Sequence, residues 1–149
     1  MKNKILIVCA NYYQMTSNYL KKDAKKVLNK ANFKHNCIDV PGVFEIPVVI
    51  ARNIKKFDGF IALGCVIKGQ TPHFDFISRS TFDALINLSI EFKKPIGNGI
   101  ITALNQSQVN QRSGDQFFFK NNKKNSKKGK GLEAANAVVK VLKNDPKSW

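Results

Sequence analysis

The chain has 149 residues, 43% of them hydrophobic, with 25 Lys and Arg against 10 Asp and Glu and a formal net charge of +15. That length suits one domain able to bury roughly two thirds of its unfolded surface, and no apolar run approaches the roughly 20 residues that a membrane-spanning helix needs. The start Met1-Lys2-Asn3-Lys4 leads directly into a strand rather than a signal-peptide core, so a soluble cytoplasmic protein is expected.

Lys4 to Ala10 reads as a first strand. Thr16 or Ser17 is the expected cap of a helix in which Leu20, Ala24, Val27, Leu28 and Ala31 share one face while Lys21, Lys22, Lys25 and Lys26 meet water. Asn36 to Val40 is a short second strand closed by the turn Pro41-Gly42, and Phe44 to Lys56 a helix with Pro47 close enough to its start to be tolerated. Phe60 to Ile67 is continuously apolar, as a strand covered on both faces would be, and Pro72 to Phe92 is a long third helix. Pro95 to Thr102 gives a fourth strand, interrupted by Gly97-Asn98-Gly99. Ser107 to Ser113 is a short helix, and Gly131 to Lys143 a last one with Leu132, Ala135, Val138, Val139 and Leu142 apolar.

Strict alternation of strands and helices with short connections predicts an α/β fold: a single domain over residues 1–149, a three-layer α/β/α sandwich on a central four-stranded parallel sheet, of flavodoxin-like type. One segment breaks the pattern. Asp115 to Lys130 is a short aromatic patch followed by a lysine tract with too little apolar surface to order itself, and is expected to be a mobile loop. Cys9, Cys37 and Cys65 are widely spaced in apolar runs with no Cys-x-x-Cys or His cluster beside them, which predicts reduced core thiols and no metal site.

The densest chemistry lies in Gly64-Cys65-Val66-Ile67-Lys68-Gly69-Gln70-Thr71-Pro72-His73-Phe74-Asp75, where an apolar strand meets a glycine turn and then a helix start carrying a histidine. Backbone N–H groups of Gly69, Gln70 and Thr71 would point at whatever lies above the strand end, and a helix N-terminus favours an anion such as phosphate. Thr71 is also expected to cap that helix, and His73 to carry protons near neutrality.

Together with Val40-Pro41-Gly42-Val43-Phe44-Glu45-Ile46-Pro47, this stretch resembles the 6,7-dimethyl-8-ribityllumazine synthase family, which performs the penultimate step of riboflavin biosynthesis. The similarity runs from Ile5 to near Leu142. It implies an enzyme that joins 5-amino-6-(D-ribitylamino)uracil to 3,4-dihydroxy-2-butanone 4-phosphate, releasing phosphate and water, with no metal and no cofactor. It further implies a homopentamer with sites between subunits, and riboflavin synthase as a partner.

The resemblance assigns roles residue by residue. His73 matches the proton-transferring histidine of the pattern Gly-x-x-x-x-Gly-x-Thr-x-His. Gly69, Gln70, Thr71 and Arg112 match the phosphate contacts, and Lys130 a second basic residue near the phosphate. For the ribitylaminouracil, Tyr12 matches an aromatic platform and Glu45 the carboxylate that accepts from the ribityl hydroxyls. Val43, Phe44, Cys65, Val66 and Ile67 would supply backbone groups and apolar walls. Asn98 stands where many members have Phe, which leaves a polar contact to the uracil in place of stacking. The Asn98, Arg112 and Lys130 positions reach across from the neighbouring subunit in the family. The long connection before the last helix departs from it and predicts a free pentamer, or at most a pair of pentamers, rather than a closed shell.

The charge suggests a different class, a basic α/β module that binds nucleic acid. Of the 25 basic residues only Arg52, Arg79 and Arg112 are arginine, whereas phosphate and base recognition leans on the bidentate guanidinium. Lysine on a solvated surface accounts for the excess, and nucleic acid is not the expected partner.

Overall fold

A computed structural model describes residues 2–114 and 129–144. Four strands, β1 (Lys4–Ala10), β2 (Lys34–Val40), β3 (Gly59–Ile67) and β4 (Ile96–Ala103), form one sheet in the order β2-β1-β3-β4, every pair parallel. The helices among the described residues are α1 (Gln14–Lys30), α2 (Ile46–Asn53), α3 (His73–Phe92), α4 (Gln106–Arg112) and α5 (Lys130–Asn144), with a 3-10 turn at Val43–Glu45.

Alternation along β1 divides the core. Ile5, Ile7 and Cys9 face α1, α4 and α5 together with Leu20, Ala24, Leu28, Val109 and Val138, while Leu6, Val8 and Ala10 face α2 and α3 with Ile46, Ile50 and Leu85. The three-layer parallel sandwich expected from the sequence is the fold observed. β1 and β3, buried from end to end or nearly so, occupy the centre of the sheet, and β2, whose residues are mostly exposed or half-buried, lies at an edge.

Several local expectations change. α1 begins at Gln14 with no side-chain cap, and Thr16 and Ser17 lie buried inside its first turn. Ser17 Oγ instead donates to the Ala10 carbonyl at 2.6 Å and so ties the helix start to the end of β1. The helix expected from Phe44 is split into the 3-10 turn and a shorter α2, with Pro47 in the first helical turn where its missing N–H has no cost. β4 runs uninterrupted through Gly97-Asn98-Gly99, because a strand tolerates glycine where a helix must come close. A Cβ on Gly97 would collide with the Ala134 carbonyl of α5, and one on Gly99 would lie 3.2 Å from the Ala134 Cβ. α5 opens at Lys130, one residue before its expected start, and most of the loop expected over 115–130 lies outside the described residues.

Candidate active site

The segments that follow β1, β2 and β3 gather at the carboxyl edge of the sheet, where parallel α/β sheets hold their ligands. Because β1 separates β2 from β3, the turn after β2 has to cross β1 to reach β3. Gly64 permits this. A Cβ there would lie 2.7 Å from Val43 Cγ1 and 3.0 Å from the Ala10 Cβ, so only glycine lets the 3-10 turn settle on β3. Val43 is buried by this contact, Phe44 is 63% exposed, and Glu45 is half-buried with its Oε2 against Gly42. Phe44, Glu45, Val48 and Thr81 line a cavity of about 490 Å³ between α2 and α3.

Beside that turn, Tyr12 stands in the β1–α1 connection, 78% exposed, its ring edge-on to Tyr13 with centroids 5.0 Å apart. It is free to offer a face to a flat ring. Cys65 is buried, and burial pushes its thiol up to about 12, which keeps it neutral and a poor nucleophile. Val66 and Ile67 are half-buried, and strand pairing extends past them through Lys68 N–H, which donates to the Ala103 carbonyl at 2.9 Å.

Gly69, Gln70, Thr71 and His73 are all exposed on the rim above β3. Among the described residues nothing lies within 4 Å of a Cβ built on Gly69. α3 begins at His73 with Pro72 before it and no side-chain cap, so the expected Thr71 cap is not made.

A separate cavity of about 340 Å³ opens beside β4, lined by Asn98, Thr102, Arg112 and Lys130 and by two residues the sequence did not single out, Phe82 and Glu133. Arg112, the last residue of α4, is half-buried and donates from Nη1 to the Gln108 carbonyl at 2.9 Å, which holds the guanidinium along its own helix. α4 itself is fixed by Asn105, whose Oδ1 accepts from Gln108 N–H at 3.0 Å. Lys130 Nζ lies 3.7 Å from Glu133 Oε2, one turn along α5. Asn98 Oδ1 accepts from the Ile100 N–H at 3.1 Å, occupying a donor on an edge strand that has no neighbour there. Phe82 and Glu133 were missed because an aromatic and an acid on amphipathic helices carry no motif.

The residues expected to bind substrate thus fall into two groups. Asn98, Arg112 and Lys130 share the β4 cavity, and Tyr12, Val43, Phe44, Glu45, Cys65, Val66, Ile67, Gly69, Gln70, Thr71 and His73 are not among its lining residues.

Comparison with known proteins gives a match to 6,7-dimethyl-8-ribityllumazine synthase over residues 2–145. The chain belongs to the 6,7-dimethyl-8-ribityllumazine synthase family. It is 39% identical over 144 residues to the 6,7-dimethyl-8-ribityllumazine synthase of Bartonella tribocorum, with 95% of this chain and 89% of that protein covered. It is 36% identical over 148 residues to the protein of the same name from Agrobacterium fabrum, covering 95% of this chain and 93% of the relative. Among the described residues no helix is long and apolar enough to cross a membrane. Family membership accounts for the two motifs, and the basic nucleic-acid module is not favoured.

Proposed function

We propose that this protein is a lumazine synthase: it condenses 5-amino-6-(D-ribitylamino)uracil with 3,4-dihydroxy-2-butanone 4-phosphate to 6,7-dimethyl-8-ribityllumazine, phosphate and water. The observation that carries this reading is the family match over residues 2–145. The gathering of Arg112 and Lys130 in one cavity supports the assignment of the phosphate to them, since two cations against the one carboxylate of Glu133 leave that space positive.

In the reaction the primary amine attacks the ketone to form an imine, phosphate leaves by elimination, and ring closure with loss of water completes the heterocycle. The amine is already a good nucleophile, so most of the rate comes from holding two substrates together. Arg112, Lys130 and the amides of Gly69 to Thr71 hold the phosphate, and His73 relays protons. Tyr12 offers its ring to the pyrimidine. Glu45 accepts from the ribityl hydroxyls, Asn98 makes a polar contact to the uracil, and Val43, Phe44, Cys65, Val66 and Ile67 wall the pocket.

The same reading makes the protein a cytoplasmic homopentamer in which the β4 cavity of one subunit completes the strand-end rim of the next. Phe44 and Val48, both exposed and lining one cavity, support an assembled state, because adjoining large apolar side chains left to water mark interaction surfaces. Riboflavin synthase, which consumes the product, is the partner it implies. Incubating the purified protein with both substrates and following lumazine absorbance tests the activity; no product at saturating substrate refutes it. Native mass spectrometry tests the assembly, and a monomer would refute the shared site.

A further inference from the structure

Arg112 closes α4 and Lys130 opens α5, yet both line one cavity. The chain departs at Gly114 and returns at Gly129, and these two buried glycines touch: a Cβ on Gly129 would lie 3.1 Å from the Cα and 3.3 Å from the nitrogen of Gly114. Over both lies the carboxylate of Asp23, from the middle of α1. Its Oδ2 is 2.6 Å from where a Gly129 Cβ would be and would collide with one on Gly114, whose φ of +86° also favours glycine. One turn earlier on the same face of α1, the Leu20 carbonyl stands where a Cβ of Gly131 would be. The ridge Leu20–Asp23 of α1 is therefore the seat on which Gly114, Gly129 and Gly131 rest.

We propose that Asp23 is a positioning residue of the butanone-phosphate site: by filling the space over Gly114 and Gly129, its side chain fixes the crossing from which Arg112 and Lys130 reach one cavity. The inference rests on the assignment of those two cations to the phosphate. Asp23 takes no part in the chemistry and acts through the backbone on which the cations are mounted. Glycine is the residue with the greatest backbone freedom, so two glycines in contact hold a fixed geometry only when something packs on them. Shape rather than charge is what the position uses. Burial raises the Asp23 carboxyl above its ordinary value, opposed by Lys26 and Lys22, and no hydrogen bond to the carboxylate is found among the described residues.

Steady-state kinetics of the full chain with each substrate varied in turn tests this on Asp23→Ala, Asp23→Asn and Arg112→Ala. Asp23→Ala is expected to raise the KM for the butanone phosphate about tenfold or more, and to leave that for the ribitylaminouracil within about twofold. Asp23→Asn, which keeps the shape, is expected to restore the wild-type value. An unchanged phosphate-substrate KM in Asp23→Ala, with a raised one in Arg112→Ala, overturns the inference and leaves the phosphate assignment standing. An unchanged value in Arg112→Ala overturns the assignment and the inference with it. Should Asp23→Ala fail to fold, Gly129→Ala, which presses on the same carboxylate, has to show the same selective rise, and a parallel change for both substrates overturns the proposal.

Discussion

Gly97 of β4 lies so close beneath α5 that a Cβ on it would collide with the carbonyl of Ala134, a contact between strand and helix backbone rather than between side chains. α5 carries Lys130 into the β4 cavity, so this approach sets the depth of the site as well as the packing. Gly97→Ala must push the helix away. Overpacking of a tight core costs about 1–3 kcal/mol, and that loss in urea-unfolding stability is the expected result. An unchanged midpoint would show that the helix has room to move.

His73 stands exposed at the start of α3 on the same rim as the Gly69 to Thr71 turn. His73→Ala is expected to lower kcat by about 10² to 10⁴, the usual share of general acid–base catalysis, while turnover persists because the substrates are still held together. Single-turnover measurement of lumazine formation checks this. An unaltered rate would remove His73 from proton transfer.

The guanidinium of Arg112 is fixed by the Gln108 carbonyl and faces the same cavity as Lys130. A hydrogen bond to a charged group contributes about 1.5–3 kcal/mol, so Arg112→Ala should raise the KM for the butanone phosphate by about one to two orders of magnitude. The KM for the ribitylaminouracil should move far less. Equal effects on both would mark a folding defect.

Burial pushes the thiols of Cys9 and Cys65 up to about 12, from a usual value of 9.0. For a thiol the sign is clear: the neutral form is the one the fold accepts, so the stabilisation is complete below 9.0 and is lost as pH rises toward 12. Two results are expected. A thiol-labelling reagent at pH 8 should reach Cys9 and Cys65 only as the protein unfolds, and the denaturant midpoint should fall with pH in the alkaline range. Rapid labelling of Cys65 in the native protein would contradict the burial on which both rest.

The strands and their order of appearance were legible from Lys4 to Thr102, because unbroken apolar runs such as Phe60 to Ile67 leave few alternatives to a buried parallel sheet. Helix starts were not. Ser17 suits a cap by residue type, yet the Ala10 carbonyl takes its hydroxyl and the helix begins earlier, a tertiary contact that no local pattern carries. Gly97-Asn98-Gly99 reads as an interruption when only propensity is weighed, and becomes regular strand once the approach of α5 is known. For the site, the resemblance supplied Arg112 and Lys130 as separate positions. Their convergence depends on Asp23, Gly114 and Gly129, which carry no motif and meet only in three dimensions.

The sheet order β2-β1-β3-β4 has a consequence for the protein during its synthesis. β1 is made first and ends in the interior, paired with β2 on one side and with β3 on the other, so its partners on the second side, Gly59 to Leu63, do not exist until residue 63 has left the ribosome. Until then Ile5, Ile7 and Val8, fully buried in the finished protein, belong to a strand with an open edge, which is the feature through which chains pair with one another. A nascent chain stalled in α2 would therefore be a sticky one, and the fragment ending before β3 is the place to look for dependence on chaperones.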